Sequence, residues 1–217
     1  MPEALIRTLL GGQIVDFTSP VGFFNTQLFF LMMPVLFLIF AIGFGSNAIA
    51  GEEERGTLDL LLSNPLPRWR VVVEKFAALV VSTMVLAIIF WLGLTIGVIA
   101  VDIDISLGRM AEATLSVVLL GLVFGTLALA VGCARGNRGL SIGVAGGLGV
   151  AAYLLNSLGG LVEVLEPYRI LSPFYHAIGS DPLANGLNLG HVGVLIGLTV
   201  VLLAVALITF ERRDLAV

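Results

Sequence analysis

The sequence predicts an all-α, polytopic membrane protein. Of its 217 residues, 58% are hydrophobic and only 12% are charged, whereas a soluble domain carries about 25% charged residues. Long uncharged runs exceed the roughly 20 residues that a helix needs to cross about 30 Å of hydrocarbon. The 26 glycines fit this class, because small residues let membrane helices approach closely. The single cysteine, Cys133, excludes a disulfide within the chain and a cysteine-based zinc site.

Five apolar runs predict five membrane-spanning helices. They cover residues 22–50, 71–101, 111–134, 139–159 and 191–210. Residues 1–21, before the first span, are expected to form an external segment. Residues 51–66 are expected to form a charged loop, and residues 160–190 an external loop. The N-terminus has no long apolar core ahead of a small-residue cleavage site, so we expect the helices themselves to direct insertion.

The Lys and Arg residues predict the orientation. If the loop after the first span is cytoplasmic, most of the 11 basic residues lie inside, in agreement with the positive-inside rule. These residues are Arg55, Arg68, Arg70, Lys75, Arg135, Arg138, Arg212 and Arg213. The C-terminus is then also cytoplasmic. No Lys, Arg, Asp or Glu lies in the middle of a predicted span, which argues against a self-sufficient ion-coupled transporter.

The charged loop after the first span has an unusual composition. Gly51 is expected to end the span, and Glu52, Glu53 and Glu54 to form the first turn of a new helix, where acids suit the positive end of the dipole. A leucine-rich stretch follows and ends at prolines. Anionic lipid would repel the acids, so a groove on a protein suits the leucines better than lipid. The residues expected to anchor the chain at the membrane interface are Arg68, Trp69, Arg70 and Lys75.

The run E-R-G-T-L-D-L-L-L-S-N-P-L-P-R, from Glu54 to Arg68, resembles the signature loop of ABC-2 type transporter permeases. These proteins are the membrane subunits of bacterial and archaeal ATP-binding-cassette exporters. Leu171–Leu183 resembles the family's extracellular stretch of short re-entrant helices, and Phe210–Leu215 resembles its short cytoplasmic tail. The family usually has six spans and the first is missing here, so we expect an apolar helix encoded in frame upstream of Met1.

The resemblance implies that residues 51–66 contain a coupling helix that docks into a groove on an ATPase subunit. It implies an ATPase contact made by Glu53, Glu54, Arg55, Gly56, Thr57, Leu58, Leu61 and Leu62, with the leucines filling the groove. It also implies a second permease subunit, forming a homodimer or heterodimer, and a location in the cytoplasmic (inner or plasma) membrane of a prokaryote. No nucleic-acid partner is expected.

The implied function is that of a permease subunit, which couples ATP hydrolysis by a separate ATPase subunit to substrate export. The chain has no GxxxxGK[ST] sequence, so it is not the ATPase itself. ATP and Mg²⁺ would bind to the partner, and no catalytic residue, metal or cofactor is expected in this chain. The alternative is a non-transporting membrane protein, either a structural partner or an intramembrane enzyme.

Few other residues are candidates for chemistry. Ser141 and Ser157 lack a GxSxG elbow. His176 and His191 have no two-ligand metal spacing. A structural role is expected for His176, and His191 is expected to lie at the membrane interface where the last span begins. The glycines of the fourth span are expected to allow tight helix packing, and they are Gly143, Gly146, Gly147 and Gly149.

Overall fold

The structure is a computed structural model, and it describes residues 25–58, 67–102, 105–160, 162 and 164–213. All regular secondary structure in these residues is helical. In chain order the helices are α1 (Phe29–Glu54), α2 (Arg68–Ala100), α3 (Leu107–Arg135), α4 (Arg138–Leu158), a 3-10 helix (Glu166–Leu171), α5 (Pro173–Ile178), α6 (Pro182–Asn185) and α7 (Leu189–Arg212). The five long helices are long and apolar enough to cross a membrane. The predicted all-α class with five spans is therefore confirmed. The expected external segment at residues 1–21 lies outside the described residues.

Helix α3 is the centre of the bundle. In its apolar stretch 83% of the residues are buried, against 17% in α2 and α7 and 22% in α4. The other four long helices all pack against it. Their remaining surfaces are rich in exposed Ile, Val and Leu side chains, as expected of helices that face hydrocarbon.

Small residues bring α3 and α1 into close contact. A side chain at Gly125 would lie 3.0 Å from both the Cβ and the carbonyl oxygen of Ala41, and 3.1 Å from Leu79 on α2. A side chain at Gly45 would overlap the carbonyl group of Gly125. Two helices surrounded by lipid gain little from apolar burial, so close van der Waals packing of this kind holds them together.

The short helices between α4 and α7 pack against the long ones. The Ser172 hydroxyl accepts a hydrogen bond from the Phe174 N–H at 3.2 Å, and it donates one to the Ala152 carbonyl of α4 at 2.7 Å. This cap begins α5. It directs Phe174 inward, where its ring centre lies 5.5 Å from that of Tyr153 and 5.9 Å from that of Phe124. Re-entry of these helices into the membrane stays a prediction.

The end of α1 differs from the sequence prediction. Helix α1 does not stop at Gly51, whose φ of −70° and ψ of −29° are helical, but continues through a π-helical stretch (Asn47–Gly51) to Glu54. Its end is set by Gly56, with a positive φ of 68°. Glu52–Glu54 therefore form the last turn of α1, and their placement in the first turn of a new helix is wrong. One glycine costs a helix only about 1 kcal/mol, and the burial of Ile49 and Ala50 outweighs that cost.

The contact at Gly125 yields a test of the packing. Replacing Gly125 with Leu forces a large side chain into a space that is filled by α1 and α2, which we expect to cost about 1–3 kcal/mol of stability. The measurement is the thermal unfolding midpoint of the detergent-purified protein. The matched control is Gly97→Leu, because Gly97 lies in α2 with open space around its Cα. Equal midpoints for the two variants would contradict the packing described here.

Candidate functional site

The candidate site is the end of the bundle where α1, α3 and α7 finish and α2 and α4 begin. Glu52, Glu53 and Glu54 lie there at the C-terminal end of α1. A helix C-terminus carries partial negative charge, so three acids in its last turn are unfavourable unless other groups compensate. We call this end of the molecule the charged end, and the opposite end, with α5 and α6, the loop end.

Each of the three carboxylates contacts a different part of the chain. Glu52 forms an ion pair with Lys75 of α2, and Glu53 forms one with Arg213, directly after α7. The Glu54 carboxylate accepts the backbone N–H of Arg138 at 2.8 Å, where α4 begins and the helix dipole favours an anion. The end of α1 is thereby fixed to α2, α4 and α7 together.

The pair between Glu53 and Arg213 is bidentate. Arg213 Nη1 donates to Glu53 Oε2 at 2.9 Å, while Nη2 donates to Oε1. The two side chains are only 20% and 26% exposed. The Arg213 carbonyl oxygen also accepts a hydrogen bond from Arg68 Nη1 at 2.7 Å. Residue 213 therefore links the end of α1 to the start of α2.

Gly136, in the turn between α3 and α4, makes room for this pair. It ends α3 in the left-handed conformation, with a φ of 62°, which glycine adopts without steric cost. A Cβ at this position would also overlap the side chains of Arg213 and Glu53. The turn and the ion pair therefore both require glycine.

Beneath the charged groups lies a small apolar core. Its buried members are Ala48, Ile49, Leu58, Val72, Leu129, Ala130, Cys133, Ala206 and Phe210. Leu58 is 1% exposed, and Phe210 is fully buried. The expectation that Leu58 fills a groove on a partner disagrees with this burial. It packs within its own chain because Gly56 reverses the chain direction after α1 and returns Leu58 to the bundle.

Three consecutive residues directly after α1 are exposed. Arg55, Gly56 and Thr57 all lie on the surface, and the Thr57 hydroxyl donates to the Glu52 carbonyl at 3.0 Å. That bond satisfies one of the carbonyl groups left open at the end of α1. Leu61 and Leu62, which were also expected to contact an ATPase, lie outside the described residues. An ATPase contact by Glu53 and Glu54 stays a prediction.

The four expected interface anchors divide into two pairs. Trp69 is 50% exposed, and the exposed Arg70 pairs with Glu74 at 2.8 Å one turn further along α2. Arg68 and Lys75 instead direct their charges to Arg213 and Glu52. The outward position of Trp69 suits a residue at headgroup depth, and anchoring by all four stays a prediction.

The two histidines meet at the loop end. His176 Nε2 donates to the Ile170 carbonyl at 2.9 Å, and the His176 ring centre lies 5.0 Å from that of His191. The Tyr175 ring is about as close to His191, at 5.5 Å. Among the described residues no group of three His, Cys, Asp or Glu side chains is placed to hold a metal. The contacts support the structural role that was expected for His176.

The glycines of α4 have two different surroundings. A side chain at Gly149 would lie 3.2 Å from Leu38 of α1, whereas Gly143, Gly146 and Gly147 have open space around them. Gly146 and Gly149 also line an apolar groove of about 470 Å³ between α1 and α4. The expected tight packing therefore occurs inside the chain at Gly149, and the other three glycines leave a smooth outer surface.

The fold and site define a class of protein: a polytopic helical membrane protein with a charged segment fixed between its first two long helices. Over residues 3–215 the chain matches the family described as ABC-2 family transporter protein, and it belongs to that family. It is similar to the probable ABC transporter permease protein NosY of Pseudomonas aeruginosa, with 33% identity over 155 residues, which is 68% of this chain and 54% of the relative. The chain thus spans about half the length of that relative. No solved structure matches it.

Sequence reasoning missed three participants in the site, which are Arg213, Gly136 and the N–H of Arg138. Arg213 and Arg138 were named only as basic residues that predict the orientation, and the tail that contains Arg213 only for its resemblance to the family. A glycine directly after Arg135 is a signal for a helix end, but it gives no indication of which side chains lie above it. Only the tertiary fold brings these residues to Glu53 and Glu54.

The left-handed turn at Gly136 yields a second test. We expect Gly136→Ala to lose about 1–2 kcal/mol of stability, because a non-glycine residue is strained at this φ. The measurement is the unfolding midpoint in detergent, as for Gly125. The control is Gly139→Ala, since Gly139 is exposed in the first turn of α4 and has only the Asn137 side chain nearby, at 3.5 Å. A midpoint for Gly136→Ala at or above the control value would contradict the strained turn.

Proposed function

We propose that the chain is the permease subunit of an ABC exporter, and that it couples ATP hydrolysis by a separate ATPase subunit to export. The observation that carries the proposal is the exposed turn Arg55–Thr57, held at its base by three carboxylates that contact three other helices. A surface of this kind suits force transmission, because a partner that moves the turn also moves the helices fixed to it. Membership of the ABC-2 family and similarity to a probable ABC transporter permease support the same function.

The proposed ATPase contact is centred on Arg55, Gly56 and Thr57. Glu53 and Glu54 flank this turn on one side, and Leu61 and Leu62 follow it. ATP and Mg²⁺ bind to the ATPase, and this chain supplies no cofactor site. The role of this chain is to change conformation between two global states when the ATPase subunits close.

The charged end is proposed to face the cytoplasm of a prokaryotic cell. The structure collects Arg55, Arg68, Arg138 and Arg213 at that end, together with the end of the described chain. The loop end has fewer basic residues, among them Arg109 and Arg169. This asymmetry is the one that the positive-inside rule associates with the cytoplasmic side.

A second permease subunit is the other proposed protein partner. The outer surface of α4 supports it, because Gly143, Gly146 and Gly147 have open space around them and lie beside the apolar groove. Small residues on an exposed membrane helix allow another helix to approach closely. Whether the partner is a second copy or a different permease is left open by this surface.

The proposal predicts that an ATPase is retained by the chain through Arg55. The tagged chain is co-expressed with the ATPase encoded beside it, purified in mild detergent, and assayed for ATP hydrolysis in the eluate. We expect Arg55→Glu to reduce the retained ATPase at least about tenfold, equivalent to about 1.4 kcal/mol of binding free energy. Its charge reversal acts on an exposed side chain, so the fold is retained.

The matched control is Arg212→Glu, an equal charge reversal at an exposed position of the same end. Retention by Arg212→Glu but not by Arg55→Glu locates the contact at the turn. No ATPase with the unaltered chain would overturn the permease function and favour a non-transporting membrane protein. An equal loss of ATPase in both variants would indicate a general effect of charge, and it would contradict a specific ATPase contact at Arg55.

A further inference from the structure

The ion pair between Glu53 and Arg213 joins two helices that have little other contact with each other. Both α1 and α7 pack extensively on α3, but few residues of α1 lie near residues of α7 in the described chain. Without the pair, movement of α1 would reach α7 only indirectly, through α3 or α2, which both pack against the two helices. With it, the end of α1 is connected directly to the end of α7.

The pair is built to resist displacement. Its bidentate geometry fixes direction as well as distance. About three quarters of each side chain is shielded from solvent, so water screens the attraction less than at the open surface. The fully buried Phe210 anchors the preceding turn of α7 in the apolar core, and Gly136 leaves space for both charged groups.

The backbone of Arg213 also contacts α2, the helix that follows the charged loop. Its carbonyl oxygen accepts the hydrogen bond from Arg68 at the start of α2. Arg213 therefore contacts Glu53, before the turn Arg55–Thr57, through its side chain, and Arg68, at the start of α2, through its carbonyl oxygen. A force on the exposed turn Arg55–Thr57 would act on Arg213 through Glu53, and a movement at the start of α2 would act on it through Arg68.

We infer that Arg213 is a positioning residue for coupling, which makes α7 follow the end of α1 when the turn Arg55–Thr57 is moved. This inference rests on the proposed function, and it assigns a role to a residue outside the ATPase contact. Helix α7 extends to the loop end, where its first turns place His191 against His176 of α5. Movement of α7 therefore reaches the short helices at the far side of the bundle.

The test measures movement at the loop end while the change is made at the charged end. Leu189, at the start of α7, is 83% exposed, so Leu189→Cys provides a reactive thiol, and the native Cys133 is buried. The complex with the co-expressed ATPase is labelled with a maleimide, with and without ATP plus vanadate. We expect the nucleotide to change the labelling rate about fivefold, a modest coupling between distant sites.

Arg213→Ala is expected to retain the ATPase and to lose most of the nucleotide effect on labelling. Arg213→Gln is the second variant, because its polar side chain fills more of the space if the alanine variant folds poorly. Arg213→Lys keeps the charge but not the bidentate geometry, so it should restore part of the effect. In a Glu53→Gln background, Arg213→Ala should have little further effect, because the pair is already broken.

The outcomes separate this inference from the proposed function. If the unaltered chain retains no ATPase, both are overturned. If the unaltered chain retains the ATPase and its labelling responds to nucleotide, and if Arg213→Ala and Arg213→Gln respond as strongly as the unaltered chain, only the role of Arg213 is overturned. An Arg212→Ala control that loses the response as fully as Arg213→Ala would also overturn it, because a general loss of positive charge would then explain the result.

Discussion

The close contact between α3 and α1 at Gly125 and Ala41 determines the arrangement of the other helices. Hydrocarbon removes most of the hydrophobic drive for helices to associate, so the bundle depends on how closely its backbones approach. With α1 held against α3 at this point, the last turn of α1 lies beside the turn between α3 and α4. That placement brings Glu54 to the start of α4 and leaves Glu53 within reach of Arg213.

The three carboxylates at the end of α1 are unfavourable for an isolated helix, so they require groups from other helices to compensate their charge. Three carboxylates at a helix C-terminus repel both one another and the helix dipole. The repulsion is relieved only when Lys75, the Arg138 N–H and Arg213 are all in place. Because these groups belong to three different helices, the orientation of the exposed turn that follows is set by the assembled bundle and not by α1 alone.

The five long helices were predictable because hydrocarbon requires long apolar runs, which are visible without any tertiary information. The end of α1 was not, because Gly51 and the acids after it are typical of a helix boundary, while the burial of Ile49 against distant residues favours continuation. The same limit applies to Leu58, which is buried in the same apolar core as Phe210, and to the pairing of Glu53 with Arg213. Each involves residues far apart in sequence, and neither spacing nor composition identifies such partners.

The burial of α3 within its own chain separates the helix that organises the bundle from the helices whose surfaces are free to contact other molecules. Because 83% of its apolar stretch is buried, α3 offers little surface to lipid or to other molecules, and its main role is to hold the other four long helices together. The surface available for recognition then belongs to the outer faces of α2, α4 and α7, which are largely exposed, and to the exposed half of α1. A related protein can therefore acquire a different cargo or partner through changes on those outer faces, while the helix that organises the bundle is kept unchanged.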